Sequence, residues 1–214
     1  MGHRPLEGIR IADLTWLLAG AGGPRILASL VAEVIRVEWQ ERLDFLRYMP
    51  PFAPLQGEKT QKGEALDLTG LDKQQARSVN RAGYFNDINA GKKGISLNMK
   101  HAKGRELFKR LVAVSDVVVE SFTAPTMRKW GLGYQDLQKI KPDIIYVQQP
   151  GWGYKGPYVD FVSYGPTAQA ISGLTEQSGL PTPHPPAGCG FSYMDWSGAY
   201  YCACLLYTSP SPRD

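Results

Sequence analysis

Asp195 stands where a carboxylate could do chemistry. It follows the apolar and aromatic run Phe191 to Met194 and precedes Ser197-Gly198 and an apolar, helix-like segment. Aspartate is a favoured N-cap and could simply satisfy free N–H groups at that helix start. The same placement suits a nucleophile, because a helix end keeps a carboxylate ionised and steadies negative charge developing on its acyl adduct. Position alone leaves both readings open. A second candidate is Ala19-Gly-Ala-Gly-Gly23, where backbone N–H groups could approach a phosphate ahead of a helix. It is not a G-x-G-x-x-G pattern, and by itself it reads as a plain tight turn. The basic pairs Lys92-Lys93 and Arg128-Lys129 fit either a phosphate cap or a solvated turn. His3, His101 and His184 are scattered with no metal-ligand spacing, and Cys202-Ala-Cys204 lacks a second ligand pair, so no metal site is assigned. Neither a G-x-S-x-G elbow nor a Walker sequence is present.

The elements that must position these residues alternate between strand and helix. Ile9 to Leu14 reads as a strand, followed by a small-residue loop, Thr15 to Gly23. Pro24 suits the first turn of a helix, with Ile26, Leu27 and Leu30 on its apolar face. Val34 to Glu38 is a second strand. Residues 39–82, with Pro50, Pro51 and Pro54 and many polar residues, read as a long irregular excursion. Strands are then expected at Gly94–Leu97, Val117–Glu120 and Ile144–Val147, and helices at Ala102–Val114 and Tyr134–Ile140. The class is therefore α/β with a mostly parallel sheet. Beyond Pro150 the chain turns rich in Gly, Pro and aromatic residues, with a helical stretch reaching Ile171. The apolar segment Ala199–Leu206 breaks off at Thr208-Ser-Pro-Ser-Pro. The expectation is a native sequence cut near Leu206, with 207–214 foreign to it.

Composition narrows the class. The chain has 214 residues, 43% apolar and 21% charged, enough for a sizeable core and too apolar for a disordered chain. The net charge of +4 permits an anionic ligand but is too small to argue for nucleic-acid binding. No run approaches the ~18 apolar residues a membrane span needs. The start, Met1-Gly-His-Arg-Pro, lacks the pattern of a signal peptide. Three cysteines are too few for a disulfide framework, so the expected setting is reduced and cytoplasmic.

The order of several blocks is more specific than any one of them. These are Pro5 to Leu14, Ala32 to Glu38, Asn89 to Leu97, Asp116 to Phe122, Trp130 to Tyr134, Gly151 to Pro157 and Gln169 to Gly173, with Asp195 after them. In this order they resemble the family III CoA-transferases, the group of formyl-CoA transferase, carnitine CoA-transferases and α-methylacyl-CoA racemase. The resemblance implies a Rossmann-like large domain, here incomplete, and two chains interlocked as rings. The partner would be a second copy or a related subunit. It places the family's nucleophile on Asp195, which would carry an acyl anhydride and then a CoA thioester. CoA contacts would fall on Trp16, Leu17, Leu18, Arg47, Lys93, Phe122 and Lys129, with CoA as substrate and no resident cofactor.

Departures from the family pattern sharpen the expectation. Where members often carry an aromatic-acid pair, this chain has Tyr164-Gly165, so that acid is absent. The racemase carries a proton-exchanging histidine in the matching stretch, where Tyr164 stands here. A racemase needs two opposed acid/base groups, so the transferase reading leads. A racemase, or a non-catalytic subunit of a hetero-oligomer, are the alternatives. Leu18 replaces the glutamine of formyl-CoA transferase, arguing against formyl or oxalate specificity. Apolar Trp16, Leu17 and Leu18 point to a larger or less polar acyl group. Val31 replaces the glycine usual before Ala32-Glu33.

Overall fold

The computed structural model describes residues 4–53, 79–188 and 190–209. Much of the expected excursion (54–78), the end of the expected foreign tail (210–214), His3 and Cys189 lie outside the described residues. Five parallel strands form the sheet: β1 (Arg10–Leu14), β2 (Glu33–Glu38), β3 (Lys93–Ser96), β4 (Val117–Glu120) and β5 (Ile145–Gln148). Their spatial order is β3-β2-β1-β4-β5. The chain thus winds outward twice from β1, and the order reverses between β1 and β4, the position where such sheets place ligands at the carboxyl ends of the strands.

Side-chain alternation sorts the core onto two faces. Ala12, Leu14 and Val118 point to one face, where α3 (Ala102–Val112), α4 (Pro125–Lys129) and α5 (Tyr134–Ile140) contribute Phe108, Met127 and Leu137. Ile11, Val117 and Val119 point to the other, beneath Leu27 of α1 (Leu17–Ser29) and Cys202 and Ala203 of α8 (Tyr193–Thr208). All four residues of β4 are buried, as a central parallel strand requires. The remaining helices are short: α2 (Gly83–Ile88), α6 (Gly165–Ile171) and α7 (Leu174–Gln177). Within the excursion a 3₁₀ turn at Phe45–Tyr48 buries Leu46 against Ala21, Phe85 and Ile88. His101 accepts the Lys103 N–H at its Nδ1 and caps α3.

The expectation for the first loop is corrected by packing. The glycine-rich stretch is not a loop: α1 begins at Leu17, and Pro24 lies inside the helix. The glycines are there because α8 and β4 come too close for side chains. A Cβ on Gly22 would sit 2.6 Å from the Ala199 Cβ, and one on Gly23 2.7 Å from Cys202 Sγ. One on Gly20 would sit 2.6 Å from the Ser121 side chain. This close approach outweighs the poor helix propensity of glycine. At the other end, α8 runs through Thr208.

Val31 occupies a left-handed turn at φ 76°, between α1 and β2, with its N–H bonded to Ala28. A β-branched residue pays a steric cost there that glycine avoids. Val31→Gly is therefore expected to stabilise the chain by about 1 kcal/mol, after the extra freedom glycine gives the unfolded state. Thermal denaturation should show a rise of about 2–4 °C; a fall would show that the turn relaxes around valine.

Candidate active site

The carboxyl ends of the strands open into a cleft of about 340 Å³. Leu14, Val37, Leu97 and Met99 form its apolar floor, and Trp16, Trp39, Phe122 and Trp130 its aromatic walls. Arg42 and Lys100 bring cationic groups to it, with the Arg42 guanidinium 5.4 Å from the Trp16 ring centre. Phe122 and Trp130 meet edge to face at 5.4 Å. The strand that precedes each wall fixes it. Trp16 follows β1 and donates its N–H to Ser121 Oγ at 3.0 Å, which ties the β1 and β4 loops together.

Glu120, at the end of β4, anchors the Phe122 wall from below. It is fully buried and accepts from the Phe122 N–H (2.7 Å), the Tyr146 hydroxyl (3.1 Å) and Gln148 Nε2 (3.1 Å). Burial pushes its carboxyl above the usual range, against the pull of the Gln148, Phe122 and Tyr146 donors. Glu120→Gln would set an amide N–H against a donor in either orientation, the Phe122 N–H on one side or Gln148 Nε2 on the other. An unmatched buried donor costs about 1–3 kcal/mol. We expect a matching fall in stability by denaturant titration, with a looser Phe122 wall.

A second cavity, of about 330 Å³, lies on the far side of Glu38, which borders both. Arg47 and Lys93 line this one, not the aromatic cleft. Arg47 is fully engaged: its Nε and Nη2 grip Glu38 at 2.7–3.1 Å, its Nη1 reaches Val79 and Asn80, and its guanidinium lies 3.6 Å from the Phe85 ring centre. Burial pushes the Glu38 carboxyl up, but hydrogen bonds from Arg47 and the Asp44 N–H, with the Arg36 and Arg47 charges, hold it below its ordinary value. Lys93 is exposed and pairs with Glu33 at 2.6 Å. Lys92 is neither a phosphate cap nor a solvated turn. It is buried against Asp13 at 2.9 Å and donates to the Ala21 carbonyl at 2.8 Å. Its burial lowers the ammonium's pKa, against the pull of Asp13.

A buried ion pair braces the first loop. Arg36 Nη2 meets Asp44 Oδ2 at 2.6 Å, and that oxygen also accepts the Leu17 N–H at 3.1 Å. Leu17 is held at φ 59°, a strained start to a helix. Leu17 and Leu18 pack on the cluster of Leu46, Phe85 and Ile88. Lys129 is exposed at the end of α4 and does not line the cleft.

Asp195 is not the N-cap of α8; Ser192 holds that position, and Asp195 lies in the first turn. Its half-buried carboxylate accepts hydrogen bonds from the Ser192 side chain and the Gly165 N–H. Burial raises its pKa, against the pull of these two donors. Asp195 does not line the aromatic cleft, but Ser163, two residues before Gly165, does. On the other side Gln149 Nε2 donates to the Ala19 carbonyl at 3.2 Å and lies against Gly198, one turn along α8. The segment 149–165 thus joins nucleophile candidate and cleft. Of the residues expected from sequence, the structure brings Trp16 and Phe122 together in the cleft. It adds Trp39, Arg42 and Lys100, whose signal is their place just past the ends of β2 and β3.

A doubly wound parallel sheet thus carries an aromatic and cationic cleft at its carboxyl edge and Asp195 beyond it. The chain belongs to CoA-transferase family III, which it matches over residues 6–207. It is 35% identical over 182 residues to a succinate–glutarate CoA-transferase of Agrobacterium fabrum, covering 85% of this chain and 41% of that protein. It is 30% identical over 200 residues to a succinyl-CoA–D-citramalate CoA-transferase of Chloroflexus aurantiacus, covering 94% and 44%. Among solved structures it resembles a CAIB/BAIF family protein from Brucella suis, with TM-score 0.76, 31% identity and coverage of 96% of this chain and 50% of that one. It also resembles an aspartate-to-alanine mutant of Rv3272 from Mycobacterium tuberculosis, with TM-score 0.77, 28% identity and coverage of 95% and 48%. The chain therefore spans half the length or less of these relatives. Among the described residues no helix is long and apolar enough to cross a membrane.

Proposed function

We propose that this chain is the nucleophile-bearing part of a longer cytoplasmic CoA-transferase that moves CoA from an acyl-CoA donor to a carboxylic acid. The observation that carries the reading is the Asp195 carboxylate, half-buried between Ser192 and Gly165 and joined by one loop to a nucleotide-sized aromatic cleft. The walls Trp16, Trp39, Phe122 and Trp130 suit the flat adenine ring, and Arg42 and Lys100 suit the phosphates.

The chemistry is covalent exchange at a carboxylate. An Asp195 oxygen attacks the thioester carbonyl, the C–S bond breaks, and the CoA thiolate leaves a mixed anhydride. The thiolate then attacks the aspartyl carbonyl, expelling the donor's carboxylate and leaving an aspartyl-CoA thioester. An acceptor carboxylate repeats the sequence in reverse: it displaces the thiolate, and the thiolate takes the new acyl group and frees Asp195. The relatives named above act on dicarboxylic acids by their names, which makes such acids the first acceptors to try. The proposed assembly has two interlocked chains, either two copies or, as the relative named a succinyl-CoA–L-malate CoA-transferase beta subunit suggests, two related subunits. Exposed Tyr154, Phe161, Tyr164 and Tyr200 supply apolar surface for that contact.

The test is covalent trapping. The full-length transferase, given an acyl-CoA and digested, should show a CoA or acyl adduct on the peptide containing Asp195. Absence of any adduct across a panel of acyl-CoAs would sink the assignment. Deuterium wash-in at the α-carbon of a methylacyl-CoA would point to racemase chemistry instead. The 214-residue chain alone is expected to be inactive; turnover by it would refute that.

A further inference from the structure

In the proposed reaction the Asp195 carboxylate must meet a thioester carried by CoA in the aromatic cleft. The spacing between the start of α1, beside the Trp16 wall, and the first turn of α8 therefore sets the reacting distance. We infer that Gln149 is the positioning residue that holds this spacing, its side-chain amide bridging the two helices. The inference rests on Asp195 being the nucleophile.

The seam between α1 and α8 closes almost without side chains. Gly22 faces Ala199 and Gly23 faces Cys202, so closely that a Cβ on either glycine would sit 2.6 and 2.7 Å from its neighbour. At the end of the seam nearest Asp195 this pattern stops, and the Gln149 amide lies between the helices. Its Nε2 donates to the Ala19 carbonyl, in the first turn of α1, at 3.2 Å. On the other side, a Cβ built on Gly198 would meet the same Nε2 at 3.1 Å and the Ala19 Cβ at 3.7 Å. Gly198 and Asp195 stand three residues apart on α8 and so share a helix face. The Gln149 main chain is itself fixed, because its N–H donates to the Glu120 carbonyl at 2.9 Å. Pro150 and Gly151, which follow it, line the cleft. One residue thus ties the end of the sheet, the start of α1 and the turn that carries Asp195.

The amide is poorly placed for stability. Its Oε1 is buried and has no hydrogen-bond partner among the described residues. A buried acceptor left unpaired destabilises a fold, whereas an apolar side chain of the same length would fill the seam without that penalty. A polar group kept there, one helical turn from the reacting carboxylate, serves the site at the expense of the fold.

The test uses the full-length transferase and reads stability, binding and chemistry separately. Gln149→Met keeps the length of the side chain and loses both its donor and its unpaired acceptor. It should melt no lower than the parent and leave KM for acyl-CoA near the parental value. Its kcat, and its rate of adduct formation on the Asp195 peptide, should both fall about 10- to 100-fold, the scale that a small misplacement of reacting groups produces. Gln149→Asn keeps the amide but is a methylene short of the Ala19 carbonyl, and it should be slow as well. A Gln149→Met kcat within about threefold of parental would overturn the inference. So would a Tm that falls along with kcat, since the amide would then be an ordinary structural brace. Parental kcat in Gln149→Asn would overturn it too, because reach would then not matter. Absence of any adduct in the unaltered enzyme would overturn the nucleophile reading and this inference with it.

Discussion

Asp195→Asn, made in the full-length transferase, is expected to lower kcat by about 10⁴-fold or more and to leave no adduct on the Asp195 peptide. Loss of a covalent nucleophile is among the largest single effects in enzyme kinetics, because every later step passes through its adduct. Asparagine has nearly the same shape and can still accept from the Ser192 or Gly165 donor, so the fold has no reason to fail. The pKa direction gives a second expectation of opposite sign. Burial raises the folded-state pKa of Asp195, against its Ser192 and Gly165 donors. A carboxyl so raised contributes its full stability below the unfolded-state value, and that contribution is lost as pH rises through the folded value. At neutral pH the ionised group is a net burden on the fold, and Asp195→Asn should melt no lower than the parent. An inactive variant of equal or higher Tm separates a chemical role from a structural one. A variant retaining more than about a hundredth of parental kcat would remove Asp195 from the mechanism. The same direction implies that parental activity is lost as pH falls through a limb lying above the usual aspartate range.

The second large effect is on stability. Arg36→Met should cost about 3–5 kcal/mol, because it leaves Asp44 buried without its cation. Both side chains are almost wholly enclosed, and the pair is 2.6 Å long. Arg36 also donates to the Thr15 carbonyl at 3.1 Å and to Asn89 at 3.0 Å, so three segments lose an anchor at once. A drop in Tm of about 10 °C is expected for a domain of this size. Removing the acid as well would not restore the chain. Asp44 also accepts the N–H groups of Leu17 and Leu46, and these would then be stranded. Because Leu17 opens α1 beside Trp16, the variant should bind acyl-CoA more weakly even below its melting temperature. A change in Tm under about 2 °C would show that Asp44 finds another partner.

The strands were legible because their burial is local in the sequence. Val117–Glu120 reads as a β-branched run and forms β4 with those bounds, and Tyr134–Ile140 likewise forms α5. The other strands differ by a residue or so at their ends. The glycine stretch was misread because its meaning is not local. Ala19-Gly-Ala-Gly-Gly23 has poor helix propensity, and only the approach of α8, nearly 180 residues along the chain, makes those glycines necessary inside a helix. The surroundings of the basic residues were not legible for a similar reason. Nothing in Lys92-Lys93 distinguishes a side chain buried on Asp13 from one exposed beside Glu33, since the sheet's twist and edge decide which lysine turns inward.

By itself, then, the sequence determined the alternating α/β class, the family through the order of its blocks, and Asp195 as the residue to examine. Each of these rests on periodicity or on residue order, which are properties of the chain read in one dimension. The tertiary structure alone decided that Arg47 and Lys93 stand apart from the aromatic cleft and that Arg42 and Lys100 reach it. It also decided that the Gln149 amide stands between Ala19 and Gly198, one turn from Asp195. Which groups meet at a site depends on where separate strands end and how closely helices pack, and those distances exist only once the chain has folded.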